Sequence, residues 1–202
     1  MRKTASFAMA IAATAAATGL AIAPAHAAGW NVTGNTNADG HYNATASPTT
    51  LTDTNTGATL TCSSATATGQ LPNGAASGSP LATITSTTWN SCSGPLGITF
   101  TVQQNGIWNI NAAPPLNASG GVDGTIDNVS AHITGSLCSA DVTGGVPATY
   151  DNNGHLVVHP TNPPSLTISN VSGCLGLLNN GDTVAFDATY NVAPSTIRVS
   201  VA

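Results

Sequence analysis

The side chains able to do chemistry in this 202-residue chain are few, and their spacing argues against most reactions. Beyond the N-terminal segment the histidines are His41, His132, His155 and His159. His155 and His159 straddle Leu156-Val157-Val158, so on a strand they point the same way, roughly 13 Å apart at about 3.3 Å per residue. One metal ion cannot take both. Glutamate is absent, which removes His-Glu-x-x-His metalloprotease chemistry, and no Gly-x-Ser-x-Gly elbow marks a nucleophilic serine. Glycoside hydrolysis needs two carboxylates facing across a sugar. Asp39, Asp53, Asp123, Asp127, Asp141, Asp151, Asp182 and Asp187 could supply a pair, but nothing in their spacing selects one.

Oxygen-rich turns offer little more. Asn35-Thr36-Asn37-Ala38-Asp39-Gly40 matches the first half of a calcium loop, but Ala46 stands where the closing bidentate acid belongs. Asp151-Asn152-Asn153-Gly154 reads as a hairpin tip. A sugar-binding platform would need a row of rings, and only Trp30, Trp89, Trp108, Tyr42, Tyr150 and Tyr190 carry large amphipathic ones. Trp30, near the start of the mature chain, is expected to be the freest to meet a ligand. Trp89, three residues before Cys92, is expected to pack on a cystine. The residues therefore assign no catalytic group, no metal ligand and no cofactor, and they mark no ligand-binding residue.

The remaining reactive atoms are the thiols of Cys62, Cys92, Cys138 and Cys174. In an exported chain four cysteines most simply form two disulfides, with three possible connectivities. A repeated pattern favours one of them. Leu81 to Gly97 followed by Ile98 to Val102 is answered by Ser165 to Gly176 followed by Val184 to Val192. Each copy reads as a strand, a cysteine in a Gly-rich turn and a second strand, and each has one more cysteine upstream. Pairing Cys62 with Cys92 and Cys138 with Cys174 closes one bridge per copy over 30 and 36 residues. Phe100 and Phe186 are then the matching apolar anchors. A four-cysteine metal site would need Cys-x-x-Cys pairs, which are missing.

Export itself is written at the N-terminus. Arg2 and Lys3 precede an Ala-rich apolar run that ends at Ala25-His26-Ala27, the pattern of a cleaved secretory signal, so residues 1–27 are set apart from the fold. The mature chain then holds Arg198 as its only Lys or Arg against eight aspartates, a net charge of −7. Nucleic-acid binding needs basic residues to displace counterions, and this chain has none to spare. The same lack of basic residues argues against adhesion to anionic lipid.

The elements that must position these residues are strands. Ile98, Phe100 and Val102 alternate with Thr99, Thr101 and Gln103, and Val129, Ala131 and Ile133 with Ser130, His132 and Thr134, which places His132 outward. Turn signals recur about every 8 to 12 residues and no mature window has helical spacing, the pattern of an antiparallel β-sandwich or barrel. Trp30 to Thr33 and His41 to Ala46 should flank the turn at Asp39-Gly40. Gln70 to Pro80 should be a mobile loop, and Asn105-Gly106 should turn the chain into Ile107 to Ile110. Two loosely duplicated halves, 28–112 and 122–202, are expected on either side of a linker at 113–121, within one continuous domain or two.

The segments Leu51-Thr52-Asp53-Thr54-Asn55-Thr56-Gly57, Leu60-Thr61-Cys62, Trp89 to Gly97 and Asn170 to Gly176 resemble small secreted proteins of Streptomyces-type actinobacteria. The resemblance implies compartment and origin, and no activity. The expected function is thus a secreted, non-enzymatic extracellular protein acting as a binding or cell-surface-associated module, with a cell-wall polymer or itself as partner and no membrane association after cleavage. Two alternatives stand beside it. One is a self-associating structural protein, since Ala58 to Thr68 and Leu81 to Ser91 lack the charge that guards edge strands. The other is a small hydrolase using two aspartates.

Overall fold

The structure, a computed structural model, describes residues 29–159 and 166–202. The signal segment and its expected cleavage after Ala27 lie outside them. Local chemistry makes strands nearly everywhere else. In Val122–Gly135 the apolar Val122, Ile126, Val129, Ala131 and Ile133 are buried while Asp123, Asn128 and Thr134 face water. β-branched residues with one dry face suit a pleated ladder. The step from Ile126 to Val129 breaks the alternation, and there Asn128 takes a positive φ of 58° at a bulge that restores the dry face.

Thirteen strands follow in order among the described residues: β1 Trp30–Thr33, β2 His41–Asp53, β3 Thr59–Gln70, β4 Gly74–Ala76, β5 Ala82–Ser93, β6 Thr99–Gln104, β7 Trp108–Ala113, β8 Val122–Gly135, β9 Cys138–Tyr150, β10 His155–Val158, β11 Leu166–Gly173, β12 Thr183–Ala193 and β13 Arg198–Val201. β12, β2, β3 and β5 pair in succession, all antiparallel. Next, β6 and β7 lie end to end between β5 and β8. β8 pairs with β9, and β10 and β11 lie end to end between β9 and β12, which closes the circuit. The result is an eight-position antiparallel barrel, which decides between sandwich and barrel.

A small sheet ordered β13-β1-β4 sits apart from the barrel ladder. It joins the end where β9 finishes. The Tyr150 hydroxyl donates to Ile197 O at 3.0 Å, and Asn152 exchanges two hydrogen bonds with the Val199 backbone at 2.9 and 2.8 Å. Trp30, Val32, Ile197 and Val199 are buried in one core with the barrel side chains.

The opposite end carries both bridges, Cys62–Cys92 and Cys138–Cys174. Each ties the second strand of a four-position half to the third. Each is followed by a short 3-10 turn, Pro95–Gly97 or Cys174–Gly176. In Ser93-Gly94-Pro95-Leu96-Gly97 and Ser172-Gly173-Cys174-Leu175-Gly176 both leucines and both final glycines have positive φ, although Gly173 and Cys174 also do and Gly94 and Pro95 do not. The repeat seen in the sequence is thus a repeat of structure.

Three local expectations are corrected. Asn105-Gly106 does not reverse the chain: β7 continues in the direction of β6, because both are antiparallel to β8. Gln70 to Pro80 contains β4, which pairs with β1. β1 and β2 flank the Asp39-Gly40 turn as expected, β1 in the small sheet and β2 in the barrel. β3 has a partner on both sides, so Ala58 to Thr68 is no edge, and β5 is flanked too except over one stretch.

Candidate ligand site in the barrel wall

That stretch is a break in the ladder between β5 and the β6–β7 line. β5 pairs with β7 at Ala82, Thr83 and Ile84 and with β6 at Cys92 and Ser93. Between these points, residues 85–91 of β5 pair only with β3, and residues 101–107 face them without a ladder. The gap has a cause in the sequence. Asn105, Gly106 and Ile107 interrupt the strand between β6 and β7, with Gly106 at a φ of 69°, and Ser91 on β5 takes a positive φ of 47°. Both irregularities fall within the unpaired stretch.

Behind the gap lies a cavity of about 80 Å³. Its walls include Ala44, Ala67 and Ala131, whose short side chains leave space that longer ones would fill. Ile84, Val102, Val142, Leu166 and Phe186 supply further apolar surface. An eight-stranded barrel is just wide enough either to be filled by side chains or to hold one small molecule. The alanines tip this barrel toward the second outcome.

Trp89 and Trp108 stand at the gap with ring centroids 6.1 Å apart and planes tilted by 44°. Trp108 is buried and its indole N–H donates to Ser130 O at 3.2 Å, while Trp89 is half-buried. Trp89 therefore packs on Trp108 and lines the cavity, a correction to the expectation that it covers a cystine. Trp30 is 1% exposed and cannot meet a ligand.

Three further side chains add oxygen to the interior: Tyr42, Tyr190 and Thr87. Tyr42 gives its hydroxyl to Thr83 O at 3.1 Å, and burial pushes the phenol pKa of both tyrosines well above the ordinary value. They stay neutral. No aspartate, histidine or arginine lines the cavity.

The remaining candidates are dispersed. His132 faces outward as expected and contacts Asp141, whose other oxygen accepts from Asn170 Nδ2 at 2.7 Å. His155 meets Asp151 at 2.7 Å, and His159 meets Thr149 at 3.1 Å, so the two share no partner. Among the described residues no group of three or more His, Cys, Asp or Glu is placed to hold a metal ion. Asn35 is buried and donates to His41 O and Leu71 O, a structural role in the partial calcium-loop segment.

Asp39 accepts from the His41 N–H, Asp53 from the Asn55 and Thr56 N–H groups, and Asp182 from Asn179. Asp123 is held below its ordinary pKa by hydrogen bonds from Thr149 and Asn117. Asp127 accepts from Asn111 and Thr125. These partners differ from one aspartate to the next.

Reading residue types for reactivity passed over Thr87, which lines the cavity.

The chain matches no family model, no curated protein and no solved structure. The two disulfides fit an oxidising compartment. No helix among the described residues is long and apolar enough to cross a membrane.

Proposed function

We propose that the protein is exported, loses residues 1–27 and acts outside the cell as a non-enzymatic binder of small, neutral, apolar molecules. One observation carries this reading: an apolar cavity lies inside the barrel, and Trp89 and Trp108, which line it, stand at an unpaired stretch of the barrel wall. Size limits the guest. An apolar cavity of about 150 Å³ takes benzene, and this one, at about 80 Å³, takes the end of a molecule whose remainder lies in the gap.

Titration with toluene and with n-hexane tests the reading, followed by methyl resonances of Ile84, Val102 and Val142 and by tryptophan emission. Saturable shifts confined to those groups are expected. Shifts that stay linear and spread over the whole surface would refute it.

A second reading, self-association, is favoured by a different feature. Leu96, Leu137 and Leu175 are 83%, 68% and 70% exposed on three loops at the disulfide end. Static light scattering would show mass rising with concentration, and replacing all three by serine would abolish the rise. A concentration-independent monomer excludes it.

A further inference from the structure

The chain contains four Asn-Gly pairs: Asn73-Gly74, Asn105-Gly106, Asn153-Gly154 and Asn180-Gly181. In such a pair the backbone nitrogen of the glycine can attack the amide carbon of the asparagine side chain, and no Cβ on the glycine obstructs the approach. The attack needs two freedoms. The side-chain amide must swing toward the backbone, and the glycine nitrogen must give up its proton to solvent.

Three of the pairs are held. Asn73 is clamped on Asn35, its Oδ1 accepting from the Asn35 N–H at 3.0 Å and its Nδ2 donating to Asn35 O at 2.7 Å. Asn153 donates from Nδ2 to Asp151 O at 3.2 Å, and Gly154 beside it is buried. Asn180 accepts from the Val171 N–H at 2.9 Å, and the Gly181 N–H itself donates to Ile168 O at 2.9 Å.

Asn105-Gly106 differs on each count. Both residues are exposed, in the interruption between β6 and β7 where the chain faces β5 without a ladder. The Asn105 backbone is fixed, since its N–H donates to Ser130 O at 2.9 Å, and Gly106 O accepts from Gln104 Nε2 at 2.8 Å. Among the described residues, however, neither the Asn105 side-chain amide nor the Gly106 N–H has a hydrogen-bond partner.

We propose that Asn105 is a self-modifying site that converts to aspartate and isoaspartate in the folded protein. Gly106 N loses its proton and bonds to Asn105 Cγ, the Cγ–Nδ2 bond breaks, and ammonia leaves a succinimide ring. Water then opens the ring. Addition at Cγ gives aspartate, and addition at the backbone carbonyl carbon gives isoaspartate, with the chain running through the side chain. Water is the only co-reactant. Either product adds one negative charge to a mature chain that already carries −7. This goes beyond the binding reading and does not depend on it.

The test incubates the protein in mildly alkaline buffer, once folded and once unfolded in urea with both disulfides reduced. Peptide mapping follows each pair, every event adding about 1 Da. In the folded protein Asn105 should convert at least about tenfold faster than the other three, because each of those must first open locally, and an opening worth about 1.4 kcal/mol already slows the reaction tenfold. In urea the four rates should converge. Asn105→Ser should remove the early acidic form on ion exchange and leave the melting temperature unchanged, since the side chain holds nothing.

A folded protein in which Asn105 converts no faster than the other three overturns the proposal. So does an Asn105→Ser variant that still develops the acidic form at the wild-type rate. A lead for Asn105 that persists undiminished in urea would assign it to sequence neighbours and overturn the structural argument.

Discussion

Filling the cavity from Ala67 should stabilise the protein and abolish binding together. Ala67 is buried on β3 between Ala44 of β2 and Thr87 of β5, and it lines the cavity. An unfilled volume of about 80 Å³ costs about 2 kcal/mol at roughly 24 cal/mol per Å³. Ala67→Val adds two methyl groups worth about 0.8 kcal/mol each when buried, and valine suits an inward strand position. The expected gain is about 1 to 1.5 kcal/mol. It would appear as a higher urea midpoint at unchanged slope, and in a protein of this size as a rise in Tm of about 2 to 6 °C. Toluene affinity should fall at least about tenfold. Destabilisation by about 1 to 3 kcal/mol would mean overpacking and refute the presence of usable space at Ala67. A stabilised variant that still binds toluene would place the guest elsewhere.

Three other perturbations test the frame around the site. Replacing both Cys62 and Cys92, or both Cys138 and Cys174, by alanine should each cost about 3.5 to 4 kcal/mol on the chain-entropy model, because the closed loops span 30 and 36 residues; a urea midpoint that does not move for one pair would show that its half is held without the bridge. Asp141 has its carboxyl pKa lowered by hydrogen bonds from Asn170 and then His132. A depressed folded pKa contributes stability above the unfolded value near 4 and loses it as pH falls through the folded value, so the gap in stability between wild type and Asp141→Asn should be below about 1 kcal/mol at pH 6 and shrink on acidification; a gap that widens in acid contradicts this. Gly173 has a φ of 74°, and a methyl there would sit 2.1 Å from Leu137 O, so Gly173→Ala should lose about 2 kcal/mol or more in chemical unfolding, and a neutral result would show that the turn adjusts freely.

Fold class was legible because period-two alternation reports a dry face directly, as Val129, Ala131 and Ile133 do on β8. The disulfide pairing was legible for another reason. A duplicated sequence carries its contacts twice, and Cys62↔Cys92 is a direct cross-strand pair in the register. What could not be read was pairing across distance. Asn105-Gly106 has the composition of a hairpin turn, yet β5 and β8 already flank that line of the barrel and hold β7 in the direction of β6. Trp30 looked free because it is early in the mature chain, but the C-terminal strand β13 returns to pair with β1 and Trp30 is buried. The site escaped for the same reason. An unpaired stretch is a relation between two strands, and no single residue on either strand announces it.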